Sequence, residues 1–312
     1  MKTRIFLATD MHGAEVTYRK FISAVKMYEA NIAILAGDIT GKVIVPIVNQ
    51  PDGTYVAIHM GQKNVMRTKE EVDALKARVR FAGYYPFDAR PSEIELYESG
   101  KLDPKTRWKE LTCTVLKEWL DLAEKHLRSA GVKFYLMPGN DDEYYIDDVI
   151  KGNAYVINPS DKVRYIDEYH EMINLPYANM TPWKCPRDLP EEQLYEKIRE
   201  LAKQVKDMEK CIFNIHVPPY GTTLDQAPVI DEGMQLRAGE MTPVGSTAVI
   251  KAIKEFQPLL GLHGHIHESR AIERIGRTVC INPGSEYGEG IIHGALIDLE
   301  KGKIKNTVLT TG

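Results

Sequence analysis

Seven side chains able to bind a divalent cation stand at the ends of short apolar runs. Asp10 and His12 follow Ile5–Ala8, Asp38 follows Ile32–Ala36, and Asn140 follows the run KFYLM. His216 closes CIFNIH, and His265 and His267 close LLGLHGHIH. Taken singly, each has a plain alternative. Asp10 could cap a helix beside a surface histidine, Asp38 and Asn140 suit tight turns, and His216 merely precedes two prolines. His265 and His267 say more: two residues apart on an expected strand they point the same way, and clustered imidazoles are costly unless something binds them. Together, two carboxylates, one amide and four histidines suit a pair of borderline divalent ions. Calcium would ask for oxygen ligands throughout, and a thiolate site for cysteines.

The elements that must position these residues are legible from periodicity. Ile5–Ala8 and Ile32–Ala36 read as strands buried on both faces, and between them Tyr18, Phe21, Ile22, Val25 and Tyr28 recur at helical spacing. Strand, helix, strand makes a βαβ opening with a parallel pair. Residues from about 43 to 104 depart from that pattern: two strands flank Pro51-Asp52-Gly53, a charged helix runs near Lys69–Arg80, and a loop rich in Pro, Tyr and Gly follows. This stretch reads as an insertion, serving as a lid or an oligomer contact. A helix is expected over Lys105–Ala130, then the strand KFYLM, then strand and turn over Tyr155–Leu175. Further on come a helix over Glu191–Met208, the strand CIFNIH, a helix capped by Ser246, and a tail of short strands. Ligand-bearing residues at the carboxyl ends of strands are where α/β sheets gather their sites.

The chain has 312 residues, of which 43% are hydrophobic, so it can bury a large core. A formal net charge of -4 without a basic cluster argues against a nucleic-acid-coating protein. The cysteines Cys113, Cys185, Cys211 and Cys280 are scattered, which predicts reduced, buried thiols. No apolar run is long enough to span a bilayer and no signal-peptide pattern opens the chain, so the expected location is the cytoplasm, away from membranes.

The blocks DMH (10–12), GD (37–38), GND (139–141), IH (215–216) and GHIH (264–267) resemble the five signature blocks of the calcineurin-like metallophosphoesterases. HVPPYGTTLD and LLGLHGHIHES are similar to a branch of bacterial and archaeal phosphoesterases related to cyclic-nucleotide phosphodiesterases. The resemblance implies an α/β fold, a four-layer α-β-β-α sandwich of two mixed sheets, as one domain over 1–312 carrying the insertion. It implies Asp10, His12 and His267 on one metal, Asn140, His216 and His265 on the other, and Asp38 bridging. The expected cofactors are two divalent ions, manganese first, with iron, zinc, cobalt or nickel as alternatives. The expected chemistry is hydrolysis of phosphodiesters by attack of a metal-bridging hydroxide. A phosphomonoesterase or nucleotidase, and a non-catalytic metal-binding scaffold, are the alternatives. The expected partners are a small phosphoester, a nucleotide among them, and a second copy of the chain through the insertion.

One block departs from the family. Its third block usually carries a histidine after the asparagine, followed by an acid. Here Asp141 stands at the histidine position, and Asp142 matches the acid that orients it. An ionised aspartate neither supports charge on a phosphoryl group nor donates a proton. His263, His293 and Tyr144 are therefore weighed as substitute donors, each also readable as structural. Lys42 is weighed as a phosphate contact or a solvated surface lysine. NPGSEYG (282–288) reads as a cleft wall or a plain turn, and the tyrosine-rich stretches GYYPF and DEYY as base-stacking or rim packing.

Overall fold

The computed structural model describes residues 2–230 and 236–312, which form nineteen strands and seven α-helices. Two mixed sheets make the centre. The first has the order β19-β18-β1-β2-β7. Its strands β1 (Lys2–Ala8), β2 (Ile32–Ala36) and β7 (Lys133–Met137) run parallel. The tail returns as β18 (His293–Glu300), antiparallel to β1, and β19 (Lys303–Thr311). The second has the order β16-β17-β15-β12-β9-β8. It is built from β8 (Lys162–Tyr165), β9 (Glu171–Leu175), β12 (Ile212–Ile215), β15 (Leu260–Leu262), β16 (Ala271–Ile275) and β17 (Thr278–Asn282).

Strand alternation builds the layers. Ile5, Leu7, Ile32 and Ile34 face Met172, Ile212, Leu260 and Ile281 of the other sheet, forming the middle of the molecule. Their neighbours Phe6, Ala8, Ala33 and Leu35 point the opposite way. They meet Phe21 of α1 (Glu15–Met27), Trp119 and Leu120 of α4 (Pro104–Leu127) and Ile146 of α5 (Ile146–Lys151). Behind the second sheet, Phe213 and Ile215 pack on Leu194 and Ile198 of α6 (Glu191–Ala202) and on Val249 and Ile253 of α7 (Thr247–Phe256). Each large aliphatic or aromatic side chain so buried stabilises the fold by about 1.5–3 kcal/mol before entropy is counted. The result is the four-layer α-β-β-α sandwich.

The stretch after β2 forms its own sheet, of order β5-β4-β3-β6: β3 (Ile44–Asn49), β4 (Tyr55–His59), β5 (Gln62–Met66) and β6 (Tyr85–Ala89). Val45, Ile47 and Ala57 pack there on Leu75 and Val79 of α2 (Lys69–Phe81), whose N-terminus carries a Thr68–Glu71 capping box. The expected loop past residue 81 is in fact β6 and α3 (Pro91–Glu98). β6 tolerates Pro86 because it lies at the sheet edge, and Pro91 suits the first turn of a helix. The helix expected over Glu191–Met208 stops at Ala202 instead. The chain then turns so that Lys206 N–H donates to the Glu171 carboxylate (2.8 Å) and Asp207 caps a short 3₁₀ turn. Two small pairs complete the chain: β10 (Ala178–Asn179) with β11 (Asp188–Leu189), and β13 (Gln226–Ile230) with β14 (Leu236–Pro243). Among the described residues no helix is long and apolar enough to cross a membrane.

Candidate metal centre

The turns after β1, β2, β7, β12 and β15 converge on one rim, where the two sheets meet. Backbone hydrogen bonds lace the first two together: Asp10 N–H to Gly37 O, His12 N–H to Asp38 O and Gly13 N–H to Ile39 O, all 2.9 Å. The lacing holds Asp10 (φ 54°), His12 (φ 42°) and Asp38 (φ 47°) in the left-handed region, and His265 joins them (φ 68°). Each such residue costs on the order of 1–3 kcal/mol, and strain of this kind gathers at functional sites. The histidine pair corrects the sequence reading. β15 ends at Leu262, so His265 and His267 lie in the loop beyond it, and the positive φ at His265 aims the rings rather than strand alternation.

Six of the seven residues come together in two groups. Ligand atoms of Asp10, His12 and His267 lie within 4.8 Å of one another, as do those of Asp38, His216 and His265. Asp38 also spans the groups: its Oδ2 is 3.7 Å from His12 Nε2 and its Oδ1 3.4 Å from His216 Nε2. The His12 and His267 Nε2 atoms are 3.1 Å apart. Asn140 lies beside them on the GND turn, where Gly139 is indispensable: a Cβ there would stand 2.1 Å from Asp38 Oδ1.

The ligand atoms are poised for a cation. His216 Nδ1–H donates to Ala36 O (2.9 Å), leaving a buried Nε2 without a hydrogen-bond partner. Asn140 donates from Nδ2 to Asp188 Oδ1 (2.9 Å), and its buried Oδ1 is left without a partner too. Burial pushes His12 down to about 3, and burial together with His216 brings His265 to about 4, so both rings offer lone pairs at neutral pH. Burial alone would raise the Asp38 carboxyl, but His216, His12 and His265 hold it well below the usual range. Buried polar atoms left bare are expensive, and a divalent ion is the partner this N and O set suits.

Asp141 and Asp142 part company. Asp142 is buried and takes hydrogen bonds from Ile39 N–H (2.9 Å), Thr40 N–H (2.9 Å), Gly139 N–H (2.8 Å) and the Thr40 hydroxyl (2.6 Å). Both its oxygens thus serve the loop that carries Asp38. Burial pushes this carboxyl up to about 6, helped by the charge of Asp38 and opposed by those donors. Asp141 reaches the rim. Its N–H donates to Asp38 Oδ1 (3.0 Å), its Oδ2 is 3.9 Å from His12 Nδ1, and its carboxylate is paired with the Lys42 ammonium. Burial raises it, as does Asp38, while Lys42 lowers it.

The other expected donors are engaged elsewhere. His263 is wholly buried, with Nδ1 at the Ile215 and Val217 carbonyls. Tyr144 stacks under the Arg187 guanidinium, 4.5 Å from its ring centre. His293 pairs with Glu286 (3.3 Å). Four further residues support the cluster, two of them from the NPGSEYG stretch and two, Asp188 and Arg187, that no sequence signal marked. Tyr287 leans on His12 (4.8 Å between centroids) and His267 (5.8 Å). Ser285 donates to Asp10 O (2.7 Å). Asp188 orients Asn140. Arg187, 2% exposed, donates to Asp142 O (2.8 Å), Glu143 O (3.2 Å) and Asp147 Oδ2 (2.9 Å), locking the GND turn. NPGSEYG was the one sequence signal pointing to Ser285 and Tyr287. Of the four thiols, all free, Cys211 and Cys280 are buried as expected; Cys113 and Cys185 are half-buried, and Cys185 sits against Asp141 (3.6 Å).

No family model matches the chain. An uncharacterized protein of Methanocaldococcus jannaschii is 32% identical over 150 residues, which span 47% of this chain and 62% of that protein's length. The solved structure of TT1561 of Thermus thermophilus superposes with a TM-score of 0.54 at 14% identity, covering 100% of this chain and 99% of that one. Another crystal structure reaches a TM-score of 0.58 at 16% identity over 99% of both chains. These likenesses establish shared architecture. The four-layer α-β-β-α fold is shared with these solved structures, and all five sequence blocks gather at one rim of it.

Proposed function

We propose that the chain is a dinuclear, divalent-metal-dependent phosphoesterase that acts on phosphodiesters in preference to monoesters. The observation that carries this reading is the two groups of ligand atoms, from Asp10, His12 and His267 and from Asp38, His216 and His265, each within 4.8 Å of one another; the buried Nε2 of His216 and Oδ1 of Asn140 are left without hydrogen-bond partners. Asp10, His12 and His267 would hold one ion, Asn140, His216 and His265 the other, and Asp38 both. Bound there, two such ions supply Lewis acidity toward a phosphoryl oxygen and acidify water to near neutrality.

The chain's own residues do the rest. Asp142 and Arg187 fix the turns that aim Asp38 and Asn140. Ser285 and Tyr287 fix the turn and rings of the first group. The preference for diesters rests on the third block: with Asp141 where the resembled family keeps an imidazole, the site suits esters whose leaving group needs no proton donor. The likeness of HVPPYGTTLD to phosphodiesterase relatives supports the same choice.

The test is metal content together with hydrolysis of an aryl phosphodiester and the matching monoester in Mn²⁺. Wild type is expected to hold two ions per chain and to favour the diester, and Asp38→Ala to lose both metal and turnover. A wild-type protein that binds no metal sinks the proposal.

A further inference from the structure

We infer that Lys42 is the residue that grips the substrate's phosphoryl group, taking over from the missing imidazole, with Asp141 positioning its ammonium. The inference rests on the phosphoester reading. Lys42 is no free surface side chain. The residue before it is clamped on both sides: Gly41 N–H donates to the Tyr85 hydroxyl (2.6 Å), and Gly41 O accepts from Trp108 Nε1 (3.1 Å). Two residues back, Thr40 is tied to Asp142. The root of Lys42 is therefore held by β6 of the third sheet and by α4, which gives that sheet a part in the site.

From this root the ammonium reaches the Asp141 carboxylate. One Asp141 oxygen belongs to the same cluster as His12 and Asp38. Lys42 remains half-exposed (51% of its side chain), whereas Asp141 is 23% exposed. An ammonium has three donors. One meets Asp141, which leaves two for a phosphoryl oxygen. Left alone, Asp141 would repel that oxygen; paired, it holds a cation against it. The dyad thus offers ammonium donors at the cluster without a titrating ring.

Inorganic phosphate affinity, measured by calorimetry on the metal-loaded protein, tests this without relying on turnover. Lys42→Met is expected to weaken phosphate binding about 10- to 100-fold, the worth of one charged hydrogen bond, with metal content unchanged. Lys42→Arg keeps the charge and is expected to retain most of the affinity. In the Lys42→Met background Asp141 is an uncompensated charge, so adding Asp141→Asn is expected to recover part of the loss. Unchanged phosphate affinity in Lys42→Met overturns the inference. So does loss of metal in that variant, which would make Lys42 a support of the cluster, and so does a double variant no better than Lys42→Met. Turnover is recorded separately: phosphate binding that depends on Lys42, in a chain that hydrolyses no ester, upholds this inference and defeats the catalytic one.

Discussion

Asn140 owes its orientation to a single carboxylate. Asp188 Oδ1 takes the amide N–H (2.9 Å), which fixes the amide plane and leaves the buried carbonyl oxygen without a partner. Its Oδ2 meanwhile takes Thr181 N–H (2.9 Å), the Thr181 hydroxyl (2.5 Å) and Cys185 N–H (2.9 Å). A ligand left free to flip presents its NH₂ group half the time, and partners outside the ligand shell commonly carry about 10- to 100-fold in metal affinity. Asp188→Ala is therefore expected to weaken Mn²⁺ binding by that order, read by titration calorimetry, with Asn140 itself intact.

At the scale of the element, turns and caps do separable jobs. Gly139 belongs to the turn after β7, and the atoms that a Cβ would strike there include the Asp38 backbone N at 2.2 Å, which cannot move aside cheaply. Gly139→Ala is expected to cost roughly 1–3 kcal/mol by overpacking, measured by urea unfolding, and to lower metal affinity as Asp38 shifts. Helix α7 offers the contrast. Ser246 Oγ accepts from Val249 N–H (3.2 Å) and donates to Glu191 (2.6 Å), which in turn accepts from Thr247 N–H (3.0 Å) and Ala248 N–H (2.8 Å). Ser246→Ala is expected to cost about 1 kcal/mol in the same unfolding experiment and to leave metal binding as it was.

At the scale of the molecule, the two sheets are clasped at opposite ends of their strands. At one end the clasp is the ligand cluster. Removing bound metal should uncouple the turns there, so a chelator is expected to lower the melting temperature; a ligand at roughly a thousand times its dissociation constant stabilises by about 4 kcal/mol. At the other end Asp167, between β8 and β9, accepts from Thr3 of β1 (2.5 Å), from the His170 ring (2.7 Å) and from the N–H groups of Tyr169 and His170 (both 2.8 Å). Burial would raise this carboxyl, but His170, Thr3 and the backbone donors hold it below its ordinary value. A depressed folded value means the contribution is complete above the unfolded value, about 3.9, and lost as pH falls through the folded one. Asp167→Asn is thus expected to lower the urea midpoint at neutral pH and to flatten the acid limb below about pH 4, checked by unfolding at several pH values.

Much of this was legible in the chain itself. Each strand that leads into a candidate ligand shows as an apolar run, because burial on both faces requires it, and polar residues follow it in a turn. The seven candidate ligands and their order are local facts of that kind. Other features required the folded chain. β6 exists because Tyr85–Ala89 finds β3 to pair with, and α6 stops early because Glu171 captures the chain beyond it. Asp188, Arg187 and Ser285 look ordinary in sequence, and only folding brings them against Asn140, Asp142 and Asp10. The meaning of Asp141 was decided the same way. In sequence it is one acid in a turn; tertiary contacts set Lys42, anchored through its neighbour by a sheet and a helix far along the chain, beside it. Periodicity records what a residue needs from its solvent. Which charge it meets is fixed by packing between distant segments, which no local pattern encodes.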